Sequence, residues 1–236
     1  MRTLLPVLAA LSLLAPAAVA QADNPATTPV PRTDEGILAR QTEVLRRARE
    51  AGPADVVFLG DSITQGWEGA GKAVWERDVA PLGAVNLGVS GDRTEHVLWR
   101  LQEAPITRLQ PRAVVVMIGT NNLGHGSSNA EQTLAGVHAV LAKVREQAPQ
   151  AEILLLEIFP RGERINAMRG DIAQINQALR AHPPQGVRTL ALGDRWVQAD
   201  GTISKEVMPD LLHLSPLGYE QWAQGMLPAL RELLGD

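Results

Sequence analysis

The sequence predicts a single α/β domain, a three-layer α/β/α sandwich in which helices cover both faces of a five-stranded parallel sheet. The 236 residues, 45% of them hydrophobic, are enough for one well-buried domain, and no shift in composition divides the chain. Strand-like apolar runs alternate five times with helical patterns, as in doubly wound folds. The runs VVFL, VVVMI and ILLLEI lack polar alternation, as expected of strands buried between two helix layers. The predicted strands span residues 55–60, 84–87, 113–118, 152–159 and 187–192.

Residues 1–20 have the pattern of a secretory signal peptide. Arg2 precedes an apolar core at 4–15, and residues 18–20 read Ala-Val-Ala, the small-x-small pattern of a signal-peptidase site. A short buried or membrane helix is the alternative, but prolines interrupt the apolar core and it is short for a bilayer. The chain contains no cysteine, which excludes a lipid-modified cysteine anchor and any disulfide. We expect cleavage after Ala20, a secreted or periplasmic product and no stable membrane anchor.

Residues 21–34 come next and are rich in proline and small polar residues. Such a composition does not build a core, so this segment is predicted to be an extended leader. The folded domain is predicted to span residues 35–236.

Helical spacing is clearest before the first predicted strand and after the third. At the C-terminal end, Ser215-Pro216 predicts the cap and first turn of a closing helix. The helical positions are Ile37, Val44, Leu45 and Ala48, then Leu134, Val137, Leu141 and Val144. Four tryptophans lie in patterned segments and are predicted to pack: Trp75, Trp99, Trp196 and Trp222.

Three polar or glycine positions lie just past predicted strands: Ser62, Gly88 and Asn121. In a doubly wound sheet the loops at the carboxyl ends of the strands form the ligand site. We therefore expect these three residues to converge at one edge of the sheet.

Ser62, His213 and Asp210 can form a catalytic triad. A serine hydroxyl is a weak nucleophile at neutral pH and needs a base, itself oriented by a carboxylate. Asp210 precedes His213 by three residues, close enough for its carboxylate to hold the imidazole. Alternatively, His213 is an ordinary loop histidine and Asp210 a capping residue, but the Gly-Asp-Ser sequence ending at Ser62 favours the triad.

Acyl transfer also needs donors for an oxyanion. The candidates are the backbone N–H groups of Ser62 and Gly88 and the side-chain amide of Asn121. A glycine directly after a strand leaves its N–H unshielded and permits close approach of a ligand. A plain strand-to-loop turn at Gly88 and an Asx-turn at Asn121 are the structural alternatives.

Four sequence blocks resemble the SGNH (GDSL) hydrolases in the same order: Gly-Asp-Ser, Gly88, Gly119-x-Asn121 and Asp210-x-x-His213. The resemblance covers nearly all of the chain that follows the signal peptide. It implies a flavodoxin-like fold, Ser62 as nucleophile, and His213 as a base oriented by Asp210. It also implies an oxyanion hole formed by Ser62, Gly88 and Asn121.

Within that family, residues 91–101, 119–122 and 159–163 are similar to the catalytic subunits of intracellular platelet-activating-factor acetylhydrolase. Many family members carry aspartate where this chain has Asn122, and asparagine is typical of the acetylhydrolase-like branch. The resemblance implies short acyl groups, acetyl above all, on alcohols that vary widely and include acetylated sugars. Similar proteins include dimers, which leaves a homodimer open.

The charge pattern gives no support for nucleic-acid binding. The net charge is −4, the isoelectric point is near 5.8, and no basic stripe follows a helix.

Three residues are candidates for substrate binding because they lie on or near the predicted mouth of the active-site cleft: Trp67, Arg93 and Arg161. Core packing for the tryptophan and solvation for the arginines are the alternatives.

Other enzyme classes fit the sequence less well. Residues 66–73 approach the phosphate-binding G-x-x-x-x-G-K-[ST] motif, but Ala73 lacks the hydroxyl that binds magnesium. The sequence Gly-Asp-Ser-Ile-Thr at 60–64 lacks the final glycine of the G-x-S-x-G motif, the nucleophile elbow of α/β-hydrolases. The five histidines show no metal-ligand spacing, so neither a metal nor another cofactor is expected.

The sequence therefore favours a metal-independent serine esterase that acts on a small-molecule ester, an acetylated carbohydrate or a lipid, through an acyl-serine intermediate. A lysophospholipase or thioesterase acting on longer acyl chains is the main rival within the hydrolases. A non-catalytic carbohydrate- or lipid-binding module is the alternative from another class, although pure binding needs no triad. Because a histidine base must be neutral, activity is expected to fall as the pH drops through about 6.5, the reference value for histidine.

Overall fold

The computed structural model describes residues 24–235 and confirms the predicted five-stranded parallel sheet. The strand order is β2-β1-β3-β4-β5, and every neighbouring pair is parallel. The strands are β1 (Val56–Gly60), β2 (Ala84–Asn86), β3 (Ala113–Met117), β4 (Glu152–Leu156) and β5 (Val187–Leu190). Each begins within one residue of its predicted start, and most end earlier than predicted.

The long helices connect or cover these strands, and two of the short ones, α2 and α5, begin just after β1 and β3. The helices are α1 (Glu35–Glu50), α2 (Ser62–Gln65), α3 (Lys72–Val74), α4 (Thr94–Glu103), α5 (Thr120–Gly124), α6 (Ala130–Gln147), α7 (Ala167–Ala181) and α8 (Pro216–Leu234). The predicted cap of the closing helix is confirmed, since Ser215 Oγ accepts a hydrogen bond from the Gly218 N–H at 3.2 Å. No helix within residues 24–235 combines the length and apolar character needed to cross a membrane.

Two hydrophobic cores lie on opposite faces of the sheet. Alternate residues of each strand point to opposite faces, so Val57 and Leu59 pack with α1, α4, α6 and α7. Val56 and Phe58 face the other way, toward α8 and the segment that follows α2, and the core on this face is called the second core. The sheet is thus the middle layer of the predicted three-layer sandwich.

The predicted packing of the tryptophans is only partly matched. Trp196 and Trp222 are buried in the second core, and Trp75 packs against it while partly exposed. Trp99 is half-buried on α4 and belongs to neither core.

The sequence predicts that the segment before α1 is an extended leader that builds no core, but in the structure this segment packs against the domain. Residues Pro25–Thr27 form a 3-10 turn capped by the Asn24 side chain, and Ala26 is fully buried. The Thr94 hydroxyl donates a hydrogen bond to the Ala26 carbonyl at 2.7 Å, and the Val30 N–H donates to the Glu95 carbonyl at 3.2 Å. We call residues 24–34 the N-terminal strap. The packed domain therefore includes residues of the strap, and the predicted signal peptide and residues 21–23 lie outside the described residues.

Candidate active site

Ser62 lies at the carboxyl end of β1, as the first residue of α2. Asp61 turns the chain out of the strand and caps the helix, because its Oδ1 accepts a hydrogen bond from the Ile63 N–H at 2.9 Å. The first N–H groups of a helix have no acceptor within it. The Ser62 N–H is one of these groups and has no acceptor among the described residues.

His213 links Ser62 to Asp210 in one hydrogen-bonded line. His213 Nε2 lies 2.9 Å from Ser62 Oγ, and His213 Nδ1 lies 2.6 Å from Asp210 Oδ2. Both distances are within hydrogen-bond reach, as the predicted triad requires. The structure thus brings together three residues of which the first two are 151 positions apart.

The loop that carries Asp210 and His213 is held by hydrogen bonds within itself and by one from Gly162. Asp210 Oδ1 accepts hydrogen bonds from the N–H groups of Leu212 at 3.0 Å and His213 at 2.7 Å. Leu211 has a φ of 63°, a left-handed conformation that is rare outside glycine, and its carbonyl accepts the Gly162 N–H at 2.8 Å. These bonds orient the Asp210 carboxylate toward the imidazole.

The carboxyl group of Asp61, which lies beside the triad, and that of Asp210, which belongs to it, have pKa values shifted in opposite directions. Burial raises the pKa of Asp61 to about 7, and the nearby carboxylate of Asp92 adds to this effect. Partial burial has the same tendency at Asp210, but hydrogen bonds from the His213 ring and from the backbone lower the pKa of Asp210 overall. Asp210 is therefore ionised at neutral pH, as a carboxylate that orients a histidine must be.

Gly88 is not available as the predicted oxyanion donor. Its N–H donates to Asn86 Oδ1 at 2.8 Å, and the residue is buried. A Cβ at Gly88 would lie 2.8 Å from the carbonyl carbon of Thr64, so the glycine permits the segment after β2 to pack closely against α2. The prediction is wrong because the Asn86 side chain occupies the Gly88 N–H, a contact that the sequence does not reveal.

Gly91 offers the free backbone donor instead. Its φ is 74°, and its N–H has no acceptor among the described residues. The next residue, Asp92, accepts a hydrogen bond through its carbonyl from Asn121 Nδ2 at 3.0 Å, which places the Asn121 amide beside this turn. Sequence reasoning missed Gly91, although Ser-Gly-Asp in a loop is a pattern that favours a glycine with positive φ.

Charged side chains are buried directly beneath the Gly91 turn. Arg100 Nε donates to Asp92 Oδ2 at 2.8 Å, and both side chains are almost fully buried. Asn122 Nδ2 donates to Glu95 Oε2 at 3.0 Å, and Asn122 Oδ1 accepts the Thr94 N–H. An aspartate at position 122 would face the Glu95 carboxylate with no amide hydrogen to donate, so this contact depends on the asparagine.

The three predicted substrate-binding residues lie in different settings. Trp67 is fully buried in the second core, against Tyr219 and Trp222, so its prediction as a substrate contact is not supported. Arg93 Nε lies 2.8 Å from Glu95 Oε1, which engages the guanidinium locally.

Arg161 lies close to the triad. Its Nη1 donates to the Thr120 carbonyl and hydroxyl, and it has no carboxylate partner within 4 Å among the described residues. Burial lowers the pKa of Arg161, whereas the carboxylates of Asp61 and Asp210 act in the opposite direction. This residue remains a predicted substrate contact.

The doubly wound sheet, together with a serine, a histidine and an aspartate in hydrogen-bond line at its carboxyl edge, defines a serine hydrolase. The sequence profile of the GDSL-like lipase/acylhydrolase family matches residues 58–221. The chain belongs to this family, and it is a carboxylic ester hydrolase.

Relatives extend this similarity over most of the chain. The platelet-activating factor acetylhydrolase IB subunit alpha1 of Homo sapiens is 37% identical over 222 residues, which cover 91% of this chain and 93% of the relative. The alpha2 subunit of Rattus norvegicus is 35% identical over 184 residues, or 77% of this chain and 78% of the relative. A crystal structure of a GDSL-like lipase from Bacteroides thetaiotaomicron shares the fold, with a TM-score of 0.66, 20% identity, and coverage of 83% and 97%.

Proposed function

We propose that this protein is an exported serine esterase that hydrolyses esters of short acyl groups, acetyl above all. The observation that carries the proposal is the line from Ser62 Oγ to His213 Nε2 at 2.9 Å and from His213 Nδ1 to Asp210 Oδ2 at 2.6 Å. A base at this distance can remove the hydroxyl proton as the oxygen attacks.

The proposed reaction has two halves. Ser62 Oγ attacks the ester carbonyl carbon while its proton passes to His213 Nε2, and His213 returns the proton to the alcohol oxygen as the bond to carbon breaks. Water then attacks the acyl-serine and gives a proton to His213. Ser62 Oγ leaves the carbonyl carbon and takes that proton, and the carboxylic acid is released. Asp210 holds the imidazole through Nδ1 in both halves.

We assign the oxyanion hole to the N–H groups of Ser62 and Gly91 and the side-chain amide of Asn121. The first two N–H groups have no acceptor among the described residues. One Asn121 amide hydrogen donates to the Asp92 carbonyl, which leaves the other for a ligand. Donors fixed before the reaction stabilise the charge that develops on the carbonyl oxygen.

The preference for a short acyl group is supported by similarity to acetylhydrolases at 37% identity over more than nine-tenths of both chains. Hydrolysis of p-nitrophenyl acetate, butyrate and palmitate tests it, with Ser62→Ala as the matched blank. We expect acetate turnover that the variant abolishes. Acetate turnover equal in the variant would refute the serine mechanism, and faster Ser62-dependent turnover of palmitate would favour a long-chain lipolytic enzyme.

The alcohol partner is proposed to be an acetylated carbohydrate or a lipid alcohol. Acetylated xylo-oligosaccharides and an acetylated glycerophospholipid, compared in the same assay by acetate release, separate the two classes. Release from neither, while p-nitrophenyl acetate is hydrolysed, would count against both.

Export is proposed from residues 1–20, whose charged start, apolar core and Ala-Val-Ala end match a cleaved signal peptide. We expect the protein in the periplasm or medium to begin at residue 21. Intact-mass measurement of protein from each fraction checks this, and a full-length chain retained in the cytoplasm would contradict it.

A further inference from the structure

The N-terminal strap reaches the turn that carries Gly91. Arg32, near the end of the strap, donates from Nη1 to the Ser90 carbonyl at 2.9 Å. The same nitrogen lies 3.4 Å from Asp92 Oδ1, and Arg32 Nε donates to Asp34 Oδ2 at 2.7 Å. The Arg32 side chain is only 11% exposed and Asp92 is fully buried, so the contacts with Ser90 and Asp92 form in a largely dry setting, whereas Asp34 is exposed.

The guanidinium also fills the space beside Gly91. A Cβ built on Gly91 would lie 2.9 Å from Arg32 Nη1 and 3.2 Å from Nη2. The absence of a side chain at position 91 thus allows the strap arginine to lie flat against this turn.

Neutralising Asp92 does not require Arg32. The Asp92 carboxylate is already held by Arg100 at 2.8 Å, a shorter contact than its 3.4 Å approach to Arg32. Arg32 donates a hydrogen bond to the Ser90 carbonyl, whereas Arg100 does not.

The Ser90 carbonyl and the Gly91 N–H are the two ends of one peptide group. A peptide group is planar and trans, so fixing the direction of its C=O fixes the opposite direction of its N–H. A positive charge at the carbonyl oxygen also polarises the group and strengthens the N–H as a donor, since hydrogen bonds in a chain reinforce one another. Ser90 itself is held at its N–H by Gln65 Oε1 at 2.7 Å.

We propose that Arg32 is a positioning residue of the oxyanion hole, which orients and polarises the Gly91 N–H through the Ser90–Gly91 peptide. This inference rests on the proposed esterase function. It makes the strap, which the sequence marks only as a leader, a working part of the active site.

Arg32→Met removes both the charge and the donor, and Arg46→Met on the exposed face of α1 is the matched control. We expect the kcat for p-nitrophenyl acetate to fall about 10-fold or more, short of the roughly 100- to 1,000-fold loss seen when an oxyanion donor is removed outright. KM should stay within about twofold, since the donor acts mainly on the developing charge. Arg46→Met should match wild type, and Arg32→Lys should recover part of kcat.

A second readout follows the peptide group itself. In ¹H–¹⁵N spectra the Gly91 amide proton should move upfield in Arg32→Met, and a trifluoromethyl ketone, which forms an oxyanion on Ser62, should bind about 10-fold more weakly. Arg32→Gln, which removes the charge but keeps an N–H donor, replaces Arg32→Met if the latter does not fold, and the changes should have the same direction and be no larger.

Unchanged kcat and unchanged ketone affinity in a folded Arg32 variant would overturn the inference while leaving the esterase intact. A rise in KM equal to the fall in kcat/KM would overturn it as well, by showing uniform binding. If Ser62→Ala keeps the wild-type rate, the esterase proposal itself fails, so the two failures are distinguishable.

Discussion

Asp61 directly precedes the nucleophile Ser62 and is completely shielded from water. Its carboxyl is fully buried, Oδ1 caps α2, and Oδ2 has no hydrogen-bond partner among the described residues. Ionising such a group is costly, which is why burial raises its pKa to about 7.

Asp61→Asn should therefore remove a pH dependence of stability. The folded protein keeps the Asp61 proton up to about pH 7, whereas the unfolded chain loses it near pH 4, so the free energy of unfolding falls as pH rises between these values. The loss amounts to about 4 kcal/mol at most. Asparagine keeps the cap and carries no charge, so urea unfolding of the variant between pH 4 and 8 should lack this slope.

Asp171→Asn, at a partly exposed site on α7, is the control for this comparison. It should unfold with the wild-type dependence on pH. An unchanged slope in Asp61→Asn would show that the carboxyl is ionised in the folded protein throughout this range.

Asn122→Asp should destabilise the protein by about 2 kcal/mol or more. The new carboxylate would lie in the place of an amide that donates to Glu95 Oε2 at 3.0 Å, with both residues buried. Urea unfolding of the variant and of the wild type checks this, and equal free energies of unfolding would contradict it. Asn129→Asp, at the exposed cap of α6, should cost nothing.

At the scale of elements, the strands and helices could largely be predicted, because apolar runs and helical spacing are local patterns. The strap could not, since its composition has no period and its contacts are distant. The bond from Asn24 Nδ2 to the Gln132 carbonyl spans 108 residues. Such pairs are specified by the assembled fold rather than by neighbouring residues.

The triad and Asn121 could also be predicted, because each follows a strand or precedes a helix in a recognisable pattern. The choice between Gly88 and Gly91 could not. Both glycines follow β2, and the outcome depends on the Asn86 side chain covering one of the two N–H groups. The prediction of Trp67 as a substrate contact was wrong for a similar reason. The direction in which the chain leaves α2 decides whether the ring faces the active-site mouth or the core.

Gly136→Ala tests how closely the N-terminal strap packs against α6. A Cβ there would collide with the Thr94 hydroxyl, which holds the Ala26 carbonyl, and would lie 2.8 Å from that carbonyl oxygen and 2.9 Å from the Ala26 Cβ. We expect a loss of about 1–3 kcal/mol in urea unfolding and faster proteolysis within residues 24–34, despite the better helix propensity of alanine.

Gly170→Ala on α7 is the matched control, since its Cβ would meet nothing within 4 Å. It should gain up to about 1 kcal/mol. Equal gains in both variants would show that the strap does not press on α6 at this point.

At the scale of the molecule, the second core joins the sheet to α8, and Trp222 lies fully buried within it. Trp222→Ala should cost about 3–5 kcal/mol of unfolding free energy. Leu217→Ala, exposed on the same helix, should change it by less than about 0.5 kcal/mol. Urea unfolding followed by circular dichroism checks both, and similar losses would mean that α8 is not anchored by its buried face.

The 151-residue separation of Ser62 and His213 has a consequence in time as well as in space. A chain emerging from the ribosome, or threading through a narrow pore, presents the serine long before the histidine. Until His213 has followed, the hydroxyl has no partner to take its proton and stays as unreactive as any free serine. A newly made copy is therefore harmless to cellular esters until His213 has been made and has folded against Ser62.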